Sequence, residues 1–254
     1  MALSRLADLF NVEVFADAVQ SRLGDAIRLY NLAYVQSFEG QQAGSITLPK
    51  YAYIGDAVAL AEGVAIDPTL LSRGSETLDV IKMAQAVNLT AEAINGSFGN
   101  PVAEAENQLV RSIANGIERE MFARLATDTT LVHTSENATI DSSDVLNALA
   151  LFGEDQEGDK SFVVNPATLP VVRQDVNFAD NQLFDLDVIV SNRVPVGSAY
   201  IIKPEGLGLY MSKETEILID EDVLNFSTVI SAYSLFATHV RDESKIVRLA
   251  VTGA

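Results

Sequence analysis

One stretch of the chain, from Asn100 to Leu125, has the pattern of a single long helix. Asn100 can cap its N-terminus, and Pro101 stands at the first helical position, where the missing N–H costs nothing. Apolar residues then recur every three or four positions and form one stripe: Leu109, Val110, Ile113, Ile117, Met121 and Leu125. At 1.5 Å per residue, a helix over residues 101–127 is roughly 40 Å long. A helix of that length in a chain of 254 residues spans the whole molecule.

The region before this helix, residues 36–90, has a different pattern. Ser45 to Pro49 alternates as a strand does, and Glu76 to Ala84 indicates a second strand. Glycine and proline turns separate the two, so we expect a long two-stranded excursion with an irregular tip. An isolated two-stranded ribbon is marginal in water. Its apolar residues therefore need a partner: Tyr51, Tyr53, Ile54, Val58, Leu60, Val64 and Ile66.

The second half of the chain mixes helices and strands. Asp141 to Phe152 fits a short helix with Asp141 or Ser142 as its cap, and Thr168 caps another that starts near Pro170. Turn residues separate short strands, which we place at residues 161–166, 188–190, 199–203, 208–211, 216–219, 226–240 and 245–251. The predicted fold class is therefore α+β.

The amino-acid composition argues against most kinds of catalytic and metal-binding site. The chain has no Cys and only two His, His133 and His239, so thiolate catalysis and Cys- or His-rich metal sites are excluded. Neither a Gly-x-Ser-x-Gly elbow nor a phosphate-binding loop occurs. The acidic run Glu154 to Asp159 lacks the calcium-loop spacing, so we interpret it as a solvated turn. We predict no catalytic, cofactor-binding or metal-binding residues, and hence no enzyme.

The charge balance restricts the possible partners. Lys and Arg number 17 against 35 Asp and Glu, which gives a net charge of -18. Such a surface repels phosphate backbones, so sequence-specific nucleic-acid recognition is disfavoured. No uncharged apolar run of membrane-spanning length occurs, and the N-terminus is interrupted by acidic residues. We therefore predict no membrane association.

The order of these parts resembles a tailed-phage major capsid protein of the Hong Kong 97-like fold. The likeness rests on segments 7–17, 46–49, 55–63, 78–84, 101–125, 162–166, 192–210 and 240–242. It implies an N-terminal arm (1–35), an extended hairpin loop (36–90), a peripheral domain (91–130 and 226–254) with a spine helix at 101–127, and an axial domain (131–225).

The resemblance also implies a function. The chain would be a structural subunit that self-assembles, through hexamers and pentamers, into an icosahedral shell around a double-stranded DNA phage genome. It would enclose that DNA without sequence-specific binding, reside in the virion after assembly in the host cytoplasm, and work with a portal and scaffold or decoration proteins. The arm and the loop would contact neighbouring subunits, and the residues we assign to these contacts are Phe10, Phe15, Lys50, Tyr51, Tyr53, Glu62 and Arg73.

Two alternatives remain open at this point. A cellular nanocompartment of the encapsulin type shares the fold but encloses a protein cargo. A soluble α+β enzyme or binding protein with an unrecognised acidic site is the alternative from another class. Formation of large closed particles, and the nature of their contents, distinguishes the three.

Overall fold

A computed structural model describes residues 22–38, 44–51, 54–60, 63, 65–96, 100–175, 177–222 and 224–252. The strands are β1 Ala33–Ser37, β2 Ser45–Tyr51, β3 Arg73–Asp79, β4 Ile81–Thr90, β5 Leu131–Ser135, β6 Ser161–Val164, β7 Phe178–Ala179, β8 Gln182–Leu183, β9 Leu186–Val190, β10 Ser198–Ile202, β11 Leu207–Asp222, β12 Ser227–Val240 and β13 Ile246–Val251. The helices are α1 Ala91–Gly96, α2 Pro101–Asp128, α3 Ser142–Ala150 and α4 Leu169–Arg173, with 3-10 turns at Tyr30–Leu32 and Glu243–Lys245.

The long helix predicted from the apolar stripe is α2. It has 28 residues, and the Asn100 side chain caps it by accepting a hydrogen bond from the Ala103 backbone N–H. The stripe is buried against a four-stranded sheet of order β1-β11-β12-β4. Strand β1 runs parallel to β11, and the other pairs are antiparallel. This helix and sheet enclose the larger of the two main cores.

The second core belongs to a seven-stranded sheet of order β5-β13-β10-β6-β9-β8-β7. Helix α3 packs against β5 and β13, and its N-cap is Asp141, one of the two candidates, rather than Ser142. Asp141 and Asp144 form a reciprocal capping box, which fixes the start of α3. The helix predicted after Thr168 is α4, although the Thr168 side chain makes no capping bond to it. The sequence prediction of an α+β fold is confirmed.

Strands β2 and β3 form a separate two-stranded ribbon, in register from Ser45 opposite Asp79 to Tyr51 opposite Arg73. One strand was predicted from Glu76 to Ala84. This prediction was wrong, because Val80 separates two strands, β3 and β4. The backbone N–H of Val80 donates to the carbonyl of Gly44, and its side chain packs with the ribbon's buried face. The chain then leaves the ribbon and continues as β4 in the four-stranded sheet.

A second correction concerns β11. Two short strands were expected, at 208–211 and 216–219, with turn residues separating them. The structure has one strand of 16 residues, whose register against β12 shifts around Lys213. Residues 212–215 form an irregularity rather than a turn, because the 14-residue strand β12 runs alongside. The pair β11–β12 also joins residues on both sides of the boundary placed between 225 and 226; the division into arm, loop and domains stays a prediction.

Candidate functional site

The segment that joins the two ribbon strands, residues 54–72 and here named the tip segment, is rich in apolar residues, and those of its residues that the structure describes are exposed. Seven of the fourteen large apolar side chains exposed in the described residues lie in it or at the adjoining Tyr51: Tyr51, Ile54, Val58, Leu60, Ile66, Leu70 and Leu71. The exposed fraction is 91% for Leu70 and 78% for Val58. Scattered exposed apolar residues are ordinary, but such a concentration marks an interaction surface.

One face of the ribbon is anchored to the four-stranded sheet. Ile46 and Leu78 from the ribbon are buried against Tyr210 of β11 and Ala237 of β12. Polar contacts at the rim add little, because the Lys50–Glu243 pair is 3.8 Å apart and its side chains are 69% and 48% exposed. The apolar face therefore fixes where the tip segment emerges from the subunit.

A buried histidine lies under this anchor. His239 of β12 is 6% exposed, and its ring centroid is 5.3 Å from that of Tyr210. Gly208 makes room for both rings, since a Cβ there would lie 2.7 Å from Cε1 of His239. Burial lowers the pKa of His239, while the charge of Glu76 in the ribbon opposes this shift. Neutral His239 is thus part of the packing that holds the ribbon.

A buried ion pair connects α2 to the loop before β10. Arg193 Nε donates to Oε2 of Glu118 at 2.9 Å, and the carboxylate is 95% buried. On the last turn of α2, the Ala126 carbonyl accepts a hydrogen bond of 2.9 Å from Arg248 of β13. Because one partner of each contact belongs to the seven-stranded part, these bonds tie the two sheets together through the long helix.

The acidic turn 153–159 is exposed, as expected, but it also holds a cation. The Nζ of Lys203, a buried residue, lies 2.7 Å from Oδ1 of Asp155 and donates to the carbonyls of Asp155 and Glu157. The hydrogen bond from Lys203 to the carboxylate lowers the pKa of Asp155. A lysine from the protein itself thus occupies the centre of the turn. In the described part of the chain, no group of three or more acidic or His side chains could hold a metal ion.

A second exposed apolar site lies at the turn between β11 and β12. Leu224 is 90% exposed and Phe226 is 71% exposed. The carboxylate of Asp222 accepts backbone bonds from Leu224 and Asn225, and the side-chain bond from Asn225 lowers the pKa of Asp222. Sequence reasoning missed this site. Its only signal was two large apolar residues on either side of Asn225 in a turn.

The predicted contact residues divide into two groups. Lys50, Tyr51 and Arg73 lie together at the far end of the ribbon, where Tyr51 stands opposite Arg73 and Lys50 opposite Gly74. The other predicted contacts lie outside the described residues: Phe10, Phe15, Tyr53 and Glu62. Leu70 and Leu71, which follow Pro68, were not among the predicted contacts. Among the described helices, none is both long and apolar enough to cross a membrane.

Comparisons with known proteins agree with this geometry. Residues 75–248 match the model of a family described as phage capsid protein. The major capsid protein of Staphylococcus phage phiMR11 is 24% identical over 255 residues, which cover 93% of this chain and 92% of that protein.

Solved structures share the fold. The capsid of cyanophage P-SCSP1u has a TM-score of 0.70 at 11% identity, and the alignment covers 90% of this chain and 89% of that one. A virus-like particle from Pyrococcus furiosus has a TM-score of 0.69 at 13% identity, with 94% and 98% covered. These likenesses confirm the predicted Hong Kong 97-like fold. Because the family model spans well over half of its residues, from the ribbon strand β3 to the last strand, the chain belongs to the phage capsid protein family.

Proposed function

We propose that this chain is a major capsid protein, the repeated subunit of an icosahedral shell that encloses a double-stranded DNA phage genome. The observation that carries the proposal is the exposed tip segment, whose apolar side chains lack a cover in the single subunit. Its place is in the virion, and membership of a structural family agrees with the prediction that the chain is not an enzyme.

Self-assembly follows from the same surfaces. The chain associates with copies of itself, and we assign the closed rings to hexamers and pentamers. The tip segment and the ribbon residues Lys50, Tyr51 and Arg73 reach a neighbour, as do Phe10, Phe15, Tyr53 and Glu62. Head-to-tail contacts of this kind generate closed rings when the rotation between neighbours closes, and we assign that geometry to the shell.

The parts of the subunit take separate roles in this proposal. Residues 1–35 form an arm, residues 36–90 the extended loop, residues 91–130 with 226–254 the peripheral domain, and residues 131–225 the axial domain. The ion pair between Glu118 and Arg193 supports a rigid subunit, because it joins α2 to the seven-stranded sheet. Assembly in the host cytoplasm, a portal, and scaffold or decoration proteins complete the proposal.

The net charge of -18 suits a container for DNA. An acidic subunit does not bind packed phosphate backbones, so the genome can be enclosed without sequence-specific contacts. Enclosing DNA is therefore a different function from recognising its sequence. The enclosed material distinguishes a phage shell from a nanocompartment, which would contain protein.

The experiment compares two exposed apolar sites. Leu70→Ser combined with Leu71→Ser should leave the free energy of unfolding of the subunit unchanged and abolish closed shells in electron micrographs. Leu146→Ser, at an exposed leucine of α3, is the matched control and should still assemble. Normal shells from the double variant would contradict the role given to the tip segment.

A further inference from the structure

A cavity of about 150 Å³ lies between the segment 23–30 and two strands of the four-stranded sheet, β1 and β11. The exposed Ser37, at the end of β1, belongs to its lining, so the cavity reaches the surface of the subunit. An apolar cavity of this size accepts a molecule as large as benzene. The single subunit therefore has room for one small ring beneath the segment 23–30.

Most of the lining of this cavity is apolar. Leu23, Ile27 and Leu209 are buried and belong to the larger core. Tyr30 and Met211 are half-buried and complete the apolar wall. An aromatic ring packs well against the ring of a tyrosine, and the flexible thioether of a methionine adapts to its edge. The wall is therefore suited to a ring rather than to a charged group.

One polar residue in the same lining is buried without a partner. Thr215 is 4% exposed, and its Oγ1 makes no hydrogen bond to any residue that the structure describes. Thr215 belongs to the irregular part of β11, where the register against β12 shifts. A buried hydroxyl without a partner is costly, and such groups in folded proteins normally have one. The hydroxyl of Thr215 therefore calls for a hydrogen-bonding group on a molecule in the cavity.

We propose that this cavity binds a compact aromatic alcohol, a molecule with one six-membered ring and one hydroxyl group. The ring packs against Leu23, Ile27 and Tyr30, and the ligand's hydroxyl forms a hydrogen bond with Oγ1 of Thr215. A ligand held in this way joins the segment 23–30 to β1 and β11. Because it binds the folded subunit and not the unfolded chain, it stabilises the fold as its concentration rises. The site goes beyond the shell function and does not depend on it.

Two ligands that differ in one hydroxyl group test the hydrogen bond. In calorimetric titrations of the purified chain, phenol should bind with one molecule per subunit, and toluene should bind about fivefold more weakly. Thr215→Val keeps the shape of the side chain and removes its hydroxyl. This variant should bind phenol about fivefold more weakly than the parent and toluene with unchanged affinity. Absence of phenol binding to the parent, or equal affinities of the parent for the two ligands, would overturn the proposal.

A variant that fills the cavity tests its location. Val35 of β1 is half-buried in the lining, and Val35→Phe should abolish the binding of both ligands. Val132→Phe, at a valine of β5 that is 44% exposed, is the matched control and should bind phenol as the parent does. Phenol binding by folded Val35→Phe with the parent's affinity would place the ligand elsewhere and overturn the proposal. If Val35→Phe does not fold, the comparison of Thr215→Val with the parent decides the question.

Discussion

At the scale of single residues, one glycine permits the packing that holds the ribbon. Gly208 lies in β11 beside the rings of His239 and Tyr210, and a Cβ there would be 2.7 Å from both. The neighbours are rigid aromatic rings, so they cannot move aside without disturbing the anchor. Close packing against these two rings thus explains why residue 208 is a glycine.

Gly208→Ala should accordingly lower the free energy of unfolding by about 1–3 kcal/mol, the usual effect of overpacking a core. Urea unfolding of the unassembled subunit measures it. Gly44→Ala is the control, because a Cβ at Gly44 would meet nothing within 4 Å. Equal stability of the two variants would contradict the packing described for Gly208.

His239 makes the same anchor sensitive to acid. Burial lowers its pKa in the folded subunit below the ordinary value of 6.5, so the unfolded chain binds a proton more readily. Its stabilising contribution is complete above pH 6.5 and is lost as the pH falls from there through the folded pKa. Glu76 of the ribbon and Asp128 favour the charged ring, whereas Arg241 and Lys50 oppose it.

Between pH 6.5 and the folded pKa, the free energy of unfolding should fall by up to about 1.4 kcal/mol per pH unit because of His239. His239→Phe should flatten this dependence. Denaturant titrations of parent and variant at a series of pH values provide the measurement. A slope in the variant as steep as in the parent would show that other groups are responsible. Three aspartates accept hydrogen bonds that lower their pKa values: Asp141, Asp175 and Asp222. Their stabilising contribution is lost only as the pH falls below their ordinary pKa of 3.8, so it does not overlap with that of His239.

At the scale of elements, the sequence predicted well the structures that depend on interactions within one short segment. Helix α2 was predicted almost to its ends because its cap, its proline and its apolar stripe all lie within one segment. The break at Val80 and the continuity of β11 were missed, since each depends on a partner far away in sequence. The candidate site divides in the same way. The apolar tip segment is visible in the sequence, but the ion pair of Glu118 with Arg193 joins residues 75 positions apart and forms only after folding.

The tip segment should be separable from the ribbon and from the rest of the subunit. Tyr51 and Arg73 stand opposite each other, so residues 52–72 can be replaced by an Asn-Gly turn that closes the hairpin. The buried face at Ile46 and Leu78 remains, and thermal unfolding should be nearly unchanged while closed shells are lost. Shells of normal size from this variant would disprove the role of the tip segment, whereas an unfolded variant would disprove its separability.

At the scale of the whole molecule, the charge of -18 opposes the association that the fold serves. Every added subunit brings like charge to a growing shell, and apolar and main-chain contacts must exceed that repulsion. Screening limits the range of the repulsion to about 30 Å at 0.01 M salt and about 8 Å at 0.15 M. Apolar contacts are not weakened when the salt concentration rises from 0.01 M to 0.15 M.

Assembly of the purified subunit should therefore be faster at 0.15 M than at 0.01 M salt, by this screening argument. Light scattering follows the rate at a fixed subunit concentration. Sucrose at matched viscosity serves as the control for effects unrelated to charge. A rate that falls as salt rises would mean that ion pairs, rather than apolar and strand contacts, dominate the subunit interface.

Electron cryomicroscopy of the purified, concentrated chain tests the central claim most directly. The account predicts closed icosahedral shells built from rings of five and six subunits, with the tip segment of each subunit lying on its neighbour. A discrete monomer or dimer at every concentration and ionic strength would contradict it.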